Sequence, residues 1–364
     1  MARRAGPVDF GIFLATLMLL SMGIIMVFSS SAVTSAYNMG DAFYFLKRQL
    51  VWAGLGLTGM VVLMGIPYTS WRRLATTLLG LSILLLVLVL LIGVTAKGSS
   101  RWLGIGSLSF QPSEVIKLSM VIFLAASLSA DPRRVGASFI GGLAPYLLLL
   151  GIVCGLILAQ PDLGTAVALA GTTYLMLVAG GANRYHLLLL FLGGVALVGL
   201  AIVVAPYRMA RFTAFLNPWA DPQGSGYQTI QSLLALGSGG PFGLGLGQGR
   251  QKLYYVPEKH TDFIFAILGE ELGFLGAALV VIAFFLLLWR GFRTALNAPD
   301  AFGSLLAAGI TCMITLQALI NMGVVTGLLP VTGITLPLVS YGGSSLVFTL
   351  ASIGILLNVS RYAH

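Results

Sequence analysis

Long apolar runs follow one another through almost the whole chain, with only short polar breaks between them. A helix that crosses a bilayer needs about 20 predominantly apolar residues. Only 9% of the residues are charged, against roughly a quarter in a soluble domain. The sequence therefore predicts an all-α integral membrane protein of about ten transmembrane helices, forming a single polytopic domain over residues 1–364. The predicted spans are 9–28, 49–66, 74–95, 113–129, 138–158, 163–181, 186–205, 263–289, 302–326 and 340–358.

The basic residues lie singly or in pairs at the ends of these runs, although the net charge is +9. This placement is typical of membrane topology signals, not of a nucleic-acid surface. An even number of spans puts both termini on one side, and that side holds ten arginines, against four basic residues in the opposite short loops. Both termini are predicted to be cytoplasmic. The ten arginines are Arg3, Arg4, Arg72, Arg73, Arg133, Arg134, Arg184, Arg290, Arg293 and Arg361, and the four opposing residues are Lys47, Arg48, Lys97 and Arg101.

The first run exceeds the 7–15 apolar residues of a secretory signal. We expect an uncleaved first helix that ends before the small residues from Ser29 to Ala32. A cleaved signal is the alternative.

A long loop from about 206 to 262 separates the seventh and eighth spans. If the basic residues of this loop are counted on the outer side, the excess of basic residues on the side of the termini nearly disappears. Charges far from helix ends have little effect on topology, however. Loops of this length are usually functional or disordered, and this one carries aromatic residues and a helical pattern from Tyr227 to Leu236, with Gly237 as a C-cap. We predict a structured extracytoplasmic cap lying on the membrane surface. Its alternating glycines, Gly243 to Gly249, lack the βαβ context of a nucleotide-binding loop and indicate flexible backbone.

Charged residues at membrane depth are candidates for function. Glu114 and Lys117 are spaced i, i+3 on the fourth span and can form an ion pair. Such a pair either fixes helix packing or contacts substrate. Asp162 follows Gln160 and Pro161 in the turn before the sixth span, where an aspartate is also an ordinary helix cap.

The segment from Pro257 to Asp262 closes the long loop and opens the eighth span. Thr261 is predicted to cap that helix, with Asp262 in its first turn. Glu270 and Glu271 follow about 12 Å deeper along the axis. From helical spacing we expect Glu270 to face a cavity below Asp262 and Glu271 to contact a neighbouring helix.

Other chemistries have weaker support. The three histidines are far apart and lack zinc-ligand spacing. The residues Ser340 to Ser345 open the last span, where capping is the default interpretation and an anion site near Ser344 is the alternative.

Several motifs together resemble the FtsW, RodA and SpoVE family over essentially the whole chain. They are RWL at 101–103, QPSE at 111–114, QPDLGT at 160–165, HTDFIF at 260–265 and PLVSYGGS at 337–344. The stretches LNPW at 216–219, GLGLG at 243–247 and LNVSRY at 357–362 are more similar to the division and sporulation branch of Gram-positive bacteria.

This resemblance implies a peptidoglycan glycosyltransferase of the bacterial cytoplasmic membrane that polymerises lipid II on the outer face. It implies that Asp262 is catalytic, and it implies a class b penicillin-binding protein and other division or elongation proteins as partners. Transfer from a lipid diphosphate needs a base for the acceptor and positive charge near the leaving group. We therefore expect Asp262 to act as base, and basic residues or Mg²⁺ or Mn²⁺ to bind the diphosphate. The candidate substrate-binding residues are Arg101, Glu114, Lys117, Asp162, Arg208, Arg211, His260, Thr261, Glu270 and Ser344.

Two other functions remain open from the sequence. A flippase for lipid-linked precursors would have the same bundle, although transporters are often built from repeats and none is detected. A scaffold for a transpeptidase is compatible with the enzyme, so partner binding alone does not separate them.

Overall fold

The computed structural model describes residues 6–96, 99–105, 108–253 and 255–363. Arg3, Arg4 and Lys97, which entered the topology prediction, lie outside the described residues. A π-helical turn, Phe139–Leu143, leads into α6, and a 3-10 turn, Pro218–Ala220, follows α9. The helices are α1 Phe10–Met39, α2 Tyr44–Gly65, α3 Thr69–Ile92, α4 Pro112–Ala130, α5 Pro132–Ala137, α6 Ala144–Leu158, α7 Leu163–Ala179, α8 Arg184–Val204, α9 Pro206–Leu216, α10 Tyr227–Gly239, α11 Ile264–Asn297, α12 Ala301–Val325 and α13 Gly343–Ser360.

Nine helical segments of the described chain are long and apolar enough to cross a membrane. The shorter apolar helix α7 has 17 residues, which is at the lower limit for a crossing, and it makes the tenth span. Every predicted span coincides with one of these helices, so the all-α membrane fold is confirmed. The agreement has a physical cause, because a lipid-exposed backbone must satisfy its hydrogen bonds within each segment.

The bundle has two ends, which we call the terminal end and the loop end. The terminal end holds Gly6 and Arg361, whose backbones are joined by a hydrogen bond from Gly6 N to Arg361 O of 2.7 Å. The loop end holds the connections after α1, α3, α6, α8 and α12. Asp262 lies at the loop end.

Helix α12 lies at the centre of the bundle and is buried on nearly all sides. It packs against α4, α7 and α11, while α13 packs closely against α2. Helix α8 is the opposite case, because none of its residues is buried. It contacts α7 sparsely and continues into α9.

The first helix is longer than predicted, ending at Met39 and not at 28. Its serines do not end the helix because their hydroxyls bond to carbonyls one turn back. Ser31 Oγ donates to Val27 O at 2.6 Å, and Ser35 Oγ donates to Ser31 O at 2.8 Å. A polar run of this kind stays helical because each hydroxyl is satisfied by its own helix.

A small antiparallel sheet, absent from the prediction, lies between α3 and α4 at the loop end. Its strands are β1 Val94–Ala96, β2 Ser99–Ile105 and β3 Leu108–Phe110, in the order β1-β2-β3. Leu103 pairs with Phe110 across β2 and β3. Strand β2 carries Arg101 toward the turn before α7.

Helix α11 is broken at Gly273, whose φ of 67° and ψ of −166° are not helical. The segment from Gly240 to Gly245 fills the break. Phe274 N donates to Gly240 O at 2.9 Å, and Glu270 O accepts from Leu244 N at 3.0 Å. The loop therefore supplies partners to backbone groups that a continuous helix would pair internally.

The long loop packs against two helices of the bundle. Helix α10 packs against α11 and α12, and the turn that follows reaches Gly273, about 13 Å along α11 at 1.5 Å per residue. Helix α10 also continues through Gly237, the predicted cap, and ends at Gly239, with Gly240 as the C-cap residue at a φ of 54°. The predicted C-cap at Gly237 was therefore wrong, because packing against α11 extends α10 beyond it. The position of the loop at the membrane surface stays a prediction.

Candidate active site

The loop between α12 and α13, residues 326–342, is the structural centre of the loop end. We call it the α12–α13 loop. It contacts the segment that carries Asp262, and it accepts a hydrogen bond at Val331 O from Arg211 Nη1 of α9 at 3.3 Å. It also lies against the start of α7, since a Cβ at Gly164 would come within 2.9 Å of Thr332 O. Candidate residues far apart in sequence therefore meet at this loop.

Asp262 precedes α11 by two residues, so it is not in the first helical turn as predicted. Phe263 is the N-cap residue and makes no side-chain cap. Thr261 does not cap the helix either, because its hydroxyl donates to Glu258 O at 3.2 Å and to Glu258 Oε2 at 3.0 Å. A turn from Glu258 to Phe263, closed by the Phe263 N to Glu258 O bond of 3.2 Å, takes the place of the predicted cap.

The carboxylate of Asp262 is half-buried and faces the α12–α13 loop. Its Oδ2 lies 3.6 Å from the position that a Cβ would occupy at Gly333. Gly333 has a φ of 80°, a region that favours glycine. Because Val331 is two residues away, the acid and the Arg211 guanidinium contact the same short stretch of chain.

His260 lies beside Asp262 but packs through its ring. The ring centroid is 4.5 Å from that of Phe45 and 5.7 Å from that of Tyr341. Burial raises the pKa of the Tyr341 phenol, with Arg48 acting in the opposite direction. The phenol therefore stays neutral at physiological pH.

Arg101 joins the small sheet to the turn before α7. Its Nε donates to Gln160 O at 2.8 Å, its guanidinium also bonds to Pro161 O, and its Nη1 lies 3.8 Å from Asp162 Oδ2. Asp162 caps α7 as predicted, accepting from Thr165 N at 3.0 Å. The carboxylate of Asp162 is therefore occupied by a cap and an arginine.

Arg208 belongs to the same side of the loop end as Arg101. Its Nε donates to Tyr207 Oη at 2.8 Å and its Nη1 to Ala201 O at 3.0 Å, near the end of α8. Tyr207 Oη in turn contacts Pro161 O at 3.5 Å. Arg101 and Arg208 are thereby linked through one tyrosine and one proline carbonyl.

Glu114 and Lys117 form the predicted ion pair, with 2.9 Å between Glu114 Oε2 and Lys117 Nζ. Both side chains are buried in α4. Lys117 Nζ also donates to Gln317 Oε1 at 2.7 Å, and Gln317 Nε2 donates to Thr335 O at 3.2 Å. The pair lines a cavity of about 10 Å³, room for about one water molecule, and supports the α12–α13 loop from below.

The serine cluster does not cap α13, which begins after Gly342 without a side-chain cap. Ser344 Oγ instead accepts from Gln111 N at 3.1 Å, and Ser340 Oγ donates to Thr261 O at 2.6 Å. These hydroxyls tie neighbouring segments together because their partners are the backbone groups of other segments and not those of α13.

Glu270 does not face a cavity below Asp262. Its carboxylate is buried and accepts from Arg250 N at 2.7 Å and from Gln251 N at 3.1 Å. Glu271 contacts a neighbouring helix, as predicted, through Ser29 Oγ of α1 at 2.6 Å. Glu271 also forms an ion pair of 2.6 Å with Lys252. Both acids therefore hold the glycine-rich loop against the break in α11.

Gln317 and Asn321 are functional candidates that the sequence analysis missed. They are spaced i, i+4 on α12, and Asn321 is 1% exposed. The sequence signal that could have identified them is the presence of two amide side chains on one face of an apolar span, because burying polar groups in a membrane costs free energy.

The described residues contain no group of three or more His, Cys, Asp or Glu side chains able to hold a metal ion. A Mg²⁺ or Mn²⁺ ion at Asp262 would therefore depend on phosphate oxygens of the substrate together with one carboxylate, a ligand set that Mg²⁺ accepts.

Comparisons with known proteins find relatives of one family. The family model of the cell cycle proteins FtsW, RodA and SpoVE matches residues 11–364. Stage V sporulation protein E of Bacillus subtilis is 51% identical over 358 residues, covering 98% of this chain and 97% of the relative. A probable peptidoglycan glycosyltransferase FtsW of Geobacter sp. (strain M18) is 46% identical over 362 residues, covering 98% of each chain.

Two solved structures resemble this fold. A chain of a peptidoglycan synthase complex, described for its coordination of polymerization and crosslinking, matches with a TM-score of 0.82 and 34% identity over 98% of each chain. The rod shape determining protein RodA of Thermus thermophilus matches with a TM-score of 0.74 and 31% identity, also over 98% of each chain.

Proposed function

The chain belongs to the FtsW, RodA and SpoVE family and is a peptidoglycan glycosyltransferase, and we propose that Asp262 is the base that activates its acceptor. The substrate of the proposed reaction is lipid II, the disaccharide-peptide carried on undecaprenyl diphosphate. The product is a β-1,4-linked glycan strand.

The position of Asp262 is the observation that carries this proposal. Its side chain is half-buried at the loop end, and its Oδ2 faces Gly333 of the α12–α13 loop. Asp162 and Glu270, by contrast, are buried, with exposed fractions of 6% and 1%. Among these candidate acids, Asp262 alone combines exposure with contact to the α12–α13 loop.

In the proposed reaction Asp262 removes the proton from the acceptor 4-hydroxyl. The oxygen attacks the anomeric carbon of the donor from the face opposite the diphosphate, so the configuration inverts. The diphosphate leaves as an anion and needs no proton from a general acid. One carboxylate therefore suffices, unlike the pair required for glycoside hydrolysis.

Arg101, Arg208 and Arg211 are the best-placed groups for the leaving diphosphate. They surround the turn before α7 and the α12–α13 loop. Guanidinium groups bind phosphate oxygens through paired N–H donors. Lys117 is buried in its pair with Glu114, so we assign it to supporting the α12–α13 loop.

A divalent cation would add charge neutralisation at the diphosphate if it accompanied the substrate. Asp262 is the carboxylate that would bind it at this site. The roles proposed for Asp262 and the arginines do not depend on such an ion.

The exposed helix α8 suggests where the polyprenyl tail lies. None of its residues is buried, and its last turn leads directly to Arg208. A tail lying along α8 in the bilayer would place its diphosphate near that arginine. Such a tail gains little from enclosure, because lipid already solvates hydrocarbon.

We further propose that both termini are cytoplasmic, which places Asp262 at the outer face. The partner is proposed to be a class b penicillin-binding protein. Support comes from the structural relative, which belongs to a complex that coordinates polymerization with crosslinking. Division or sporulation is the proposed process, from the similarity to the FtsW and sporulation relatives.

The test is polymerisation of purified lipid II by the purified chain with its transpeptidase partner. We expect Asp262→Asn to lower the rate by roughly 10²- to 10⁴-fold, the usual contribution of general base catalysis. Asp221→Asn is the matched control, since Asp221 lies in the same long loop and its carboxylate bonds to the nearby Gly224 and Ser225. A wild-type rate for Asp262→Asn would refute the assignment of the base. Flipping of labelled lipid II in liposomes without polymer would favour a transporter.

A further inference from the structure

Three consecutive backbone carbonyls, those of His260, Thr261 and Asp262, each accept a hydrogen bond from the same side. His260 O accepts from Tyr341 N at 2.8 Å, Thr261 O from Ser340 Oγ at 2.6 Å, and Asp262 O from Asn321 Nδ2 at 2.7 Å. All three donors belong to α12 or to the α12–α13 loop. We call these three donors the carbonyl clamp.

Asn321 of the carbonyl clamp joins two segments of the chain. Its Nδ2 also donates to Ile334 O at 2.7 Å, so one amide group joins the Asp262 backbone to the α12–α13 loop. Both partners are carbonyls, and only the NH₂ group of an asparagine side chain can donate to them. Ser340 has a similar double role, because its Oγ accepts from Leu336 N at 2.8 Å while donating to Thr261 O.

The 260–262 segment lies outside any helix, and these three bonds add to the turn from Glu258 to Phe263 in holding it. Helix α11 begins two residues after Asp262, and no side chain caps its start. A peptide plane that rotated in this segment would move the carboxylate away from Gly333. Displacements of about 1 Å in a reacting group can cost 10²-fold in rate.

We propose that Asn321 and Ser340 are positioning residues that fix the carboxylate of Asp262 toward the acceptor. The inference rests on the catalytic role proposed for Asp262. Neither residue touches substrate in this proposal, and each acts through the backbone of the 260–262 segment.

A matched control exists at the terminal end of the bundle. Asn358 of α13 is 1% exposed, like Asn321, and it also bonds to two backbone groups. Its Nδ2 donates to Met64 O at 2.7 Å, and its Oδ1 accepts from Tyr68 N at 2.8 Å. Replacing either asparagine by alanine removes two buried hydrogen bonds, but only one of the two sites adjoins Asp262.

The experiment compares Asn321→Ala, Asn358→Ala and Asp262→Asn in lipid II polymerisation, each rate being corrected for the folded fraction. Asn321→Ala is expected to lower kcat by about 10²-fold with little change in KM. Asn358→Ala is expected to lower the unfolding temperature by a similar amount as Asn321→Ala while keeping kcat. Ser340→Ala is expected to lower kcat less than Asn321→Ala, because Tyr341 N and Asn321 still hold the segment.

Asn321→Asp provides a second measurement, the pH dependence of activity, which would not change if Asn321 had only a structural role. Its carboxyl has nearly the same shape but donates a hydrogen bond only when protonated. Activity of this variant is expected to be greatest at a lower pH than in the wild type. An unchanged pH profile with a wild-type kcat would overturn the positioning role.

The outcomes separate this inference from the function on which it rests. If Asp262→Asn is inactive and Asn321→Ala has a wild-type kcat, the positioning role is wrong and the base assignment stands. If Asp262→Asn is active, the base assignment itself is wrong.

Discussion

The two ends of the bundle both contain polar networks, but they are organised differently. At the terminal end, Asp9 pairs with Arg290 at 2.7 Å, Tyr68 donates to Asp300, and Asn358 joins α2 to α13. These contacts connect one helix end with another. At the loop end, comparable contacts converge on the α12–α13 loop and leave Asp262 half-exposed beside it. The comparison indicates that contacts between helix ends stabilise the bundle, whereas contacts that converge on one loop can position a side chain such as that of Asp262.

The largest effect is expected at the buried ion pair of the loop end. Lys252 and Glu271 are 5% and 0% exposed in their side chains. Lys252→Met leaves the Glu271 carboxylate without its cation, and breaking a buried pair in this way costs about 3–5 kcal/mol. Thermal unfolding in detergent measures the loss.

The double variant Lys252→Met, Glu271→Gln is the control, because it removes both charges. It should recover much of the lost stability. A single variant as stable as the wild type would show that the pair does not hold the loop. Polymerisation should fall with the single variant, because Lys252 O also binds the side chain of Lys259, three residues before Asp262.

A smaller effect, confined to stability, is expected at the terminal end. Asp9→Ala removes the ion pair with Arg290 and the cap on α1, where Ile12 N donates to Asp9 Oδ1 at 3.1 Å. The expected loss is about 1–3 kcal/mol, with kcat of the folded fraction unchanged. A fall in kcat comparable to that of Asp262→Asn would contradict the division of roles between the two ends.

The smallest expected effect is a pH dependence at Lys259. Burial and then the charge of Lys252 lower the pKa of Lys259 from its ordinary value of 10.5. The folded protein therefore binds this proton less tightly than the unfolded chain, and stability should rise as the pH increases toward 10.5. Lys259→Met should reduce that rise in an unfolding series between about pH 8 and pH 10.

Most of the fold was predictable because a bilayer imposes a length on every span. The predicted spans 263–289 and 302–326 begin within one residue of the observed first residues of α11 and α12. The break at Gly273 was not predictable, because apolarity continues through it and its cause is the distant Gly240–Gly245 segment. The short sheet was missed for a similar reason, since its strands pair only where α3 and α4 place them.

The parts of the candidate site that consist of charged residues could be predicted from the sequence. Asp262, Glu114 and Lys117 stood out as charged groups in or beside apolar runs, and the ion pair was confirmed. Thr261 was assigned wrongly because local spacing does not reveal that Glu258 takes its hydroxyl. Asn321 was missed because its role depends on bonds to residues 262 and 334, which only the folded chain brings together.

The α12–α13 loop comes late in the sequence, yet a residue as early as Gln49 of α2 donates a hydrogen bond to Ser340 O of this loop. During synthesis, the earlier helices are translated before this loop. An unfinished polypeptide on the ribosome therefore carries Asp262 without the groups that orient it. Under the role proposed for Asp262, a chain that lacks this loop is expected not to polymerise glycan.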